Sequence, residues 1–180
     1  MKGIVFTEFL ELVESNFGLE VVDKIIEKSQ LPSKGAYTAI GTYSFSEMLS
    51  LITNLSEHTK MSVDELLYVY GLHFFSVIQR DYPGILKIYE GPMDLLSSVE
   101  SHIHVEVRKI YPDAELPKFE TLDKTKNSLT LKYTSSRSMY AFAHGLMEKA
   151  FEHYGGSASI SYEKLKKDGS EVKFIILNNG

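Results

Sequence analysis

The chain has 180 residues, 43% of them hydrophobic and 24% charged, which is one domain's worth of polypeptide with apolar side chains enough for a core; whole-chain disorder is excluded. A formal charge of −5 supplies no basic field for a phosphate backbone, so nucleic acid is not the expected partner. With no cysteine, disulfides, thiolate nucleophiles, iron–sulfur clusters and Cys-ligated zinc all fall away, and any metal must be held by His, Asp, Glu, Tyr or Met.

The opening MKGIVFTEFLELV breaks its apolar residues with Glu8 and Glu11 and carries no signal-peptide pattern. No apolar run reaches the roughly 18–20 residues of a membrane span. A cytoplasmic chain without membrane contact is expected. Val5, Phe6, Phe9, Leu10 and Val13 recur at helical spacing up to Gly18, and a second helix is predicted over about Leu19–Ser29. Pro32, Gly35 and Gly41 make residues 30–42 a loop. Ser44 or Ser46 then caps a helix, with Glu47 placed for a capping box on Ser44, and Ser62-Val63-Asp64-Glu65 repeats the signature before a helix running to about Arg80.

Asp81-Tyr82-Pro83-Gly84 ends that helix, and Gly91-Pro92 opens another, predicted as one piece from Met93 to about Tyr111 and closed by Pro112 and Pro117. The character then changes. Ser128–Arg137 alternates as a strand, Met139–Tyr154 is helical, and Ala158–Tyr162 and Val172–Asn178 read as two strands joined by a turn at Lys167-Asp168-Gly169. Helices first and a small antiparallel sheet last is an α+β pattern.

Two groups of residues invite chemistry. His102 and His104 flank Ile103 in a helical run, where they diverge by roughly 200° about the axis, so a bidentate site is disfavoured. One imidazole in an apolar helix suits a single axial haem ligand, and it equally suits an ordinary helical histidine. Leu129, Leu131, Tyr133, Ser135 and Arg137 are alternate residues on one strand face, apolar at one end and ending in a phenol, a hydroxyl and a guanidinium. That face fits an amphipathic anion, whose carboxylate an arginine grips in a fork. Hydrolase, zincin, phosphate-loop and dinucleotide-binding motifs are absent. His144 and Glu148 stand one helical turn apart as a surface pair.

Tyr133-Thr134-Ser135-Ser136-Arg137 forms a Y-x-S-x-R motif, in a chain that starts MKG and carries the segment Ile103-His104-Val105-Glu106-Val107 about thirty residues upstream and Met139-Tyr140-x-Phe142 just after. In this order and spacing the four resemble the H-NOX family, the haem nitric oxide and oxygen binding domains related to the haem domain of soluble guanylate cyclase. The resemblance covers essentially the whole chain. It implies an H-NOX fold with haem b buried between a helical N-terminal subdomain of about residues 1–62 and a subdomain of about 63–180 that carries the ligating helix and the sheet.

Carried over by position, the resemblance makes His104 the axial iron ligand and His102 a bystander. It makes Tyr133, Ser135 and Arg137 the clamp on the haem propionates, and Pro117 and Val5 the residues that pack on and distort the macrocycle. Phe9, Phe74 and Phe142 line the distal pocket, with Leu72 and Phe75 on the same helix. Phe142 stands where oxygen-binding members have a tyrosine that donates to bound O₂. A charge-assisted hydrogen bond of that kind contributes about 1.5–3 kcal/mol, roughly ten- to a hundredfold in affinity. The implied ligands are therefore nitric oxide and carbon monoxide and not O₂, with Tyr140, Tyr43 and His73 the nearest alternative donors. The implied role is a bacterial, non-enzymatic gas sensor, in which NO breaks the iron–histidine bond and the change of shape regulates a partner. By analogy the partner is a histidine kinase of a two-component system or a cyclic-di-GMP enzyme. A haem peroxidase would need a distal His and Arg where three phenylalanines stand. A haem-free module for an amphipathic carboxylate would use the same strand face and leave His104 without a role.

Overall fold

The structure, a computed structural model, describes all 180 residues. Helices α1 (Gly3–Phe17) and α2 (Leu19–Lys28) meet at Gly18, whose φ of 85° breaks the helix. The loop that follows is laced to α1, with Gly3 N–H donating to the Gly41 carbonyl at 2.8 Å and Ile4 N–H to that of Ala39 at 2.9 Å. A Cβ on Gly3 would stand 1.7 Å from the Thr38 carbonyl oxygen, so this crossing requires glycine in the third position.

Helix α3 (Phe45–Thr59) is capped by Ser44, but the expected box on Glu47 does not form. Ser46 N–H donates to Ser44 Oγ at 3.2 Å instead. The buried Glu47 carboxylate turns back to the loop and accepts from the Ser33 N–H and hydroxyl and, at 3.0 Å, from the Tyr37 hydroxyl. The carboxylate is buried and those half-buried donors satisfy it, which outweighs a cap that water could replace. At Ser62 the box is complete: Glu65 N–H donates to Ser62 Oγ at 3.2 Å and Ser62 N–H to Glu65 Oε2 at 2.7 Å, opening α4 (Val63–Asp81).

After a single turn, α5 (Pro83–Leu86), comes the largest departure from expectation. The predicted helix from Met93 to Tyr111 is three pieces: α6 (Pro92–Ser97), a π turn over Val99–Ile103, and α7 (His104–Ile110). In the π turn the N–H groups of His102 and Ile103 both donate to the Ser98 carbonyl, at 2.9 and 3.3 Å. The extra residue divides the apolar stripe, so that Leu95 and Leu96 are buried whereas Ile110 is exposed.

A further strand, β1 (Lys118–Lys124), occupies residues expected to be loop. Strand β2 (Ser128–Thr134) stops short of Arg137, and α8 (Tyr140–His153), β3 (Ala158–Lys164) and β4 (Glu171–Asn178) follow. The sheet is antiparallel throughout in the order β1-β2-β4-β3. Leu129, Leu131 and Tyr133 of β2 pair in register with Ile176, Phe174 and Val172 of β4, and all six are buried on one face. The β3–β4 turn lies at Lys167-Asp168-Gly169 as expected, with Gly169 at φ 76°. Helix α8 packs on the sheet and crosses α4 where Gly71 faces Gly145: a Cβ on either would stand 2.2 Å from a carbonyl oxygen of the opposite helix.

Candidate functional site

His104 is the first residue of α7, directly after the π turn, and is only 7% exposed. Its Nδ1 lies 3.2 Å from Glu100 Oε2, and since an ionised carboxylate only accepts, Nδ1 carries the proton. The same oxygen accepts the Phe119 N–H at 3.0 Å, and Arg108 stands 3.8 Å from the other. Burial holds the imidazole below the ordinary histidine range despite the pull of Glu100. Burial resists ionisation of Glu100, but the Phe119 N–H, His104 and Arg108 together hold its carboxyl below the usual range. His104 Nε2 makes no hydrogen bond within the chain. No group of three or more His, Asp or Glu side chains converges to hold a bare ion. A lone imidazole with one nitrogen tethered and the other free is the donor set for a metal that arrives already chelated, as iron does in haem. His102 is turned away, its Nδ1 2.6 Å from the Tyr89 hydroxyl.

From His104 a run of rings leads to the Y-x-S-x-R residues: Phe119 lies 5.9 Å from the imidazole, and Tyr133 lies 5.5 Å from Phe119. Strand β1, unforeseen in the sequence, supplies the middle ring. Tyr133 is buried on the inner sheet face, but Ser135 and Arg137 lie beyond the strand and do not share that face as expected. The chain turns there, Arg137 N–H donating to Ser135 Oγ at 3.2 Å and Ser135 N–H to the Ser170 carbonyl at 2.9 Å. The three still come together. Burial raises the Tyr133 phenol, and the Ser135 hydroxyl, the Met139 backbone and the Arg137 charge pull it back.

The Arg137 guanidinium lies over the Phe45 ring and forks onto Glu115, reaching its carboxylate and, at 2.8 Å, its backbone carbonyl. The position therefore already grips a carboxylate. Glu115 is two residues before Pro117, which is half-buried at the entry to β1. Arg137 also lines a cavity of about 210 Å³ with Met48, Asp64, Tyr140 and Lys164, and this cavity does not reach His104.

Phe9, Phe74 and Phe142 all stand against a residue that the sequence did not single out. Tyr70 is fully buried with ring centroids 5.4, 5.8 and 5.0 Å from those of Phe9, Phe74 and Phe142, and Phe74 lies 5.5 Å from Phe142. Its position one helical turn before Phe74 was the available signal. The Tyr70 hydroxyl donates to the Val5 carbonyl at 2.6 Å and is thus committed. Of the other candidate donors, Tyr140 donates to Asp64 and Tyr43 Oη accepts the Thr38 N–H at 2.9 Å, whereas His73 Nε2 is buried without a hydrogen-bond partner, 3.6 Å from Glu8 Oε2. Phe75 packs against His153 and stands apart from the cluster. Met1, Val5, Phe74, Phe142 and Leu146 remain partly exposed beside the core, offering apolar surface to a flat ligand.

The family described as Haem-NO-binding (HNOB) matches residues 2–162. The structure of Fe(II) unliganded H-NOX protein from K. algicida is 62% identical, with a TM-score of 0.99 over 100% of this chain and 97% of that one. The solution structure of the IWP-051-bound H-NOX from Shewanella woodyi in the Fe(II)CO ligation state is 38% identical, with a TM-score of 0.82 over 98% and 94%. An H-NOX protein from S. oneidensis in the Fe(II)NO ligation state shares the fold at 23% identity, with a TM-score of 0.92 over the whole of both chains. This chain belongs to the H-NOX family of haem-binding domains, which are sensor modules and not catalysts. No helix is long and apolar enough to cross a membrane.

Proposed function

We propose that this chain is a nitric oxide sensor built on haem b, with His104 as the axial ligand. The observation that carries the reading is the state of His104: buried, tethered at Nδ1 and free at Nε2. Haem, when bound, would supply a ferrous iron able to take a diatomic ligand. Tyr133, Ser135 and Arg137 hold the propionates, Arg137 exchanging the Glu115 carboxylate for a propionate of the same chemistry. Val5 and Pro117, both half-buried, would pack on the macrocycle. Phe9, Phe74 and Phe142 exclude water and present no donor, which leaves O₂ without the hydrogen bond it needs and costs NO and CO little.

His104 would be the link between a haem-bound ligand and α7, and a change in its hold would be felt by the elements α7 touches. The S. woodyi protein was seen with CO and the S. oneidensis protein with NO; both ligands suit the donor-free cluster here. The signal passes to a bacterial partner in the cytoplasm, a histidine kinase or a cyclic-di-GMP enzyme, and can shift its equilibrium by about 1–3 kcal/mol. The test is spectroscopic. Ferrous protein should show a Soret band that shifts on adding NO or CO and is unmoved by air, and His104→Gly should abolish the five-coordinate histidine-ligated spectrum. A stable oxy spectrum would overturn the selectivity, and a colourless protein that refuses haem would overturn the whole reading.

A further inference from the structure

The acceptor on His104 lies outside the roles assigned above, and the argument for it rests on His104 being the iron ligand. Glu100 sits four residues before His104 and inside the π turn, so it belongs to the same helical segment and reaches the ring without a long tether. Its Oε2 receives two donors, His104 Nδ1 at 3.2 Å and the Phe119 N–H at 3.0 Å, while Arg108 stands 3.8 Å from Oε1. A backbone N–H of a strand and a cation thus fix the carboxylate in place, and the ring nitrogen completes its surroundings.

We propose that Glu100 is a positioning residue that sets the strength of the His104–iron bond. A carboxylate accepting Nδ1–H fixes the tautomer that leaves the Nε2 lone pair outward, and it draws the proton toward itself, so that the ring takes on imidazolate character and becomes a stronger donor. An ionised acceptor makes about twice as strong a hydrogen bond as a neutral one. The effect favours the more highly charged ferric iron over the ferrous and raises the force constant of the bond that NO must break. Glu100 also joins the ring to the sheet. Because one oxygen serves both His104 and Phe119, a displacement of the imidazole is felt at the first residues of β1.

The test uses the full haem-loaded chain as wild type, Glu100→Gln and Glu100→Ala. Glutamine keeps an oxygen for the Phe119 N–H but loses the charge, and so separates tuning from folding. Resonance Raman of the ferrous protein should show the iron–histidine stretch falling in frequency from wild type to glutamine to alanine. The ferric–ferrous equilibrium should move toward ferrous by about tenfold in the alanine variant, which for one electron is about 59 mV in midpoint potential. Variants that keep both the wild-type stretch and the wild-type potential would overturn the proposal while leaving His104 as the ligand. A wild-type spectrum with no iron–histidine band would remove the reading beneath it, and the proposal would fall with it.

Discussion

Replacing Gly145 with alanine tests how tightly α4 and α8 are locked. The added Cβ would stand 2.2 Å from the Tyr68 carbonyl oxygen and 2.9 Å from the Leu72 nitrogen, both backbone atoms that no rotamer change can move. Restoring ordinary contact at about 3.5 Å requires the helices to part by roughly 1 Å. Overpacking of this kind costs about 1–3 kcal/mol, and the gain of alanine over glycine in a helix returns about 0.5–1 kcal/mol. With both clashing atoms in the backbone the cost falls in the upper half of that range, about 2–3 kcal/mol, and the net of about 1–2.5 kcal/mol corresponds to a fall in Tm of roughly 2–10 °C for a chain of this length. Thermal unfolding followed by circular dichroism measures it. An unchanged or higher Tm would refute the close crossing, because propensity alone would then be acting.

Tyr70→Phe removes the donor to the Val5 carbonyl and should cost about 1–3 kcal/mol, read as a lower denaturation midpoint. Arg137→Ala should speed haem transfer to an acceptor globin by roughly ten- to a hundredfold, the worth of a charge-assisted hydrogen bond of about 1.5–3 kcal/mol; an unchanged rate would argue against the clamp. Glu171 bonds Lys132 at 2.8 Å and Lys166 at 2.6 Å, which hold its carboxyl at about 2 against an ordinary 4.5. A depressed carboxylate stabilises the fold above its unfolded value and loses that contribution as pH falls through the folded one. Glu171→Gln should therefore lower Tm at pH 7, and its difference from wild type should shrink between pH 4.5 and 2.

What the sequence disclosed depended on whether a local rule governed. The Ser62 box obeyed such a rule because its partners lie within four residues, whereas at Ser44 the same pattern lost Glu47 to Ser33 and Tyr37, partners that only the fold brings near. Strand β1 was missed because it is an edge strand exposed along nearly its whole length, with Phe119 its one half-buried residue, and an edge needs no alternation. The Y-x-S-x-R residues were legible as a unit, but their shared strand face was not, since the chain turns at Ser135 to reach the Ser170 carbonyl. His104 stood out by its apolar helical setting and by resemblance. Glu100, four residues earlier, was visible as an i,i−4 acid, yet a 3.6-residue period gave no reason to suspect the wider turn in which it sits.

Because one residue more than an α-helix needs is wound into Val99–Ile103, the segment before His104 holds a residue to spare. Deleting a single residue there would turn the wide turn into an ordinary one and leave His104 close to its bearing, whereas a deletion from an uninterrupted α-helix would carry a side chain about 100° around the axis. Insertions and deletions are ordinarily absorbed by loops. Between Pro92 and His104 a helix has the same latitude.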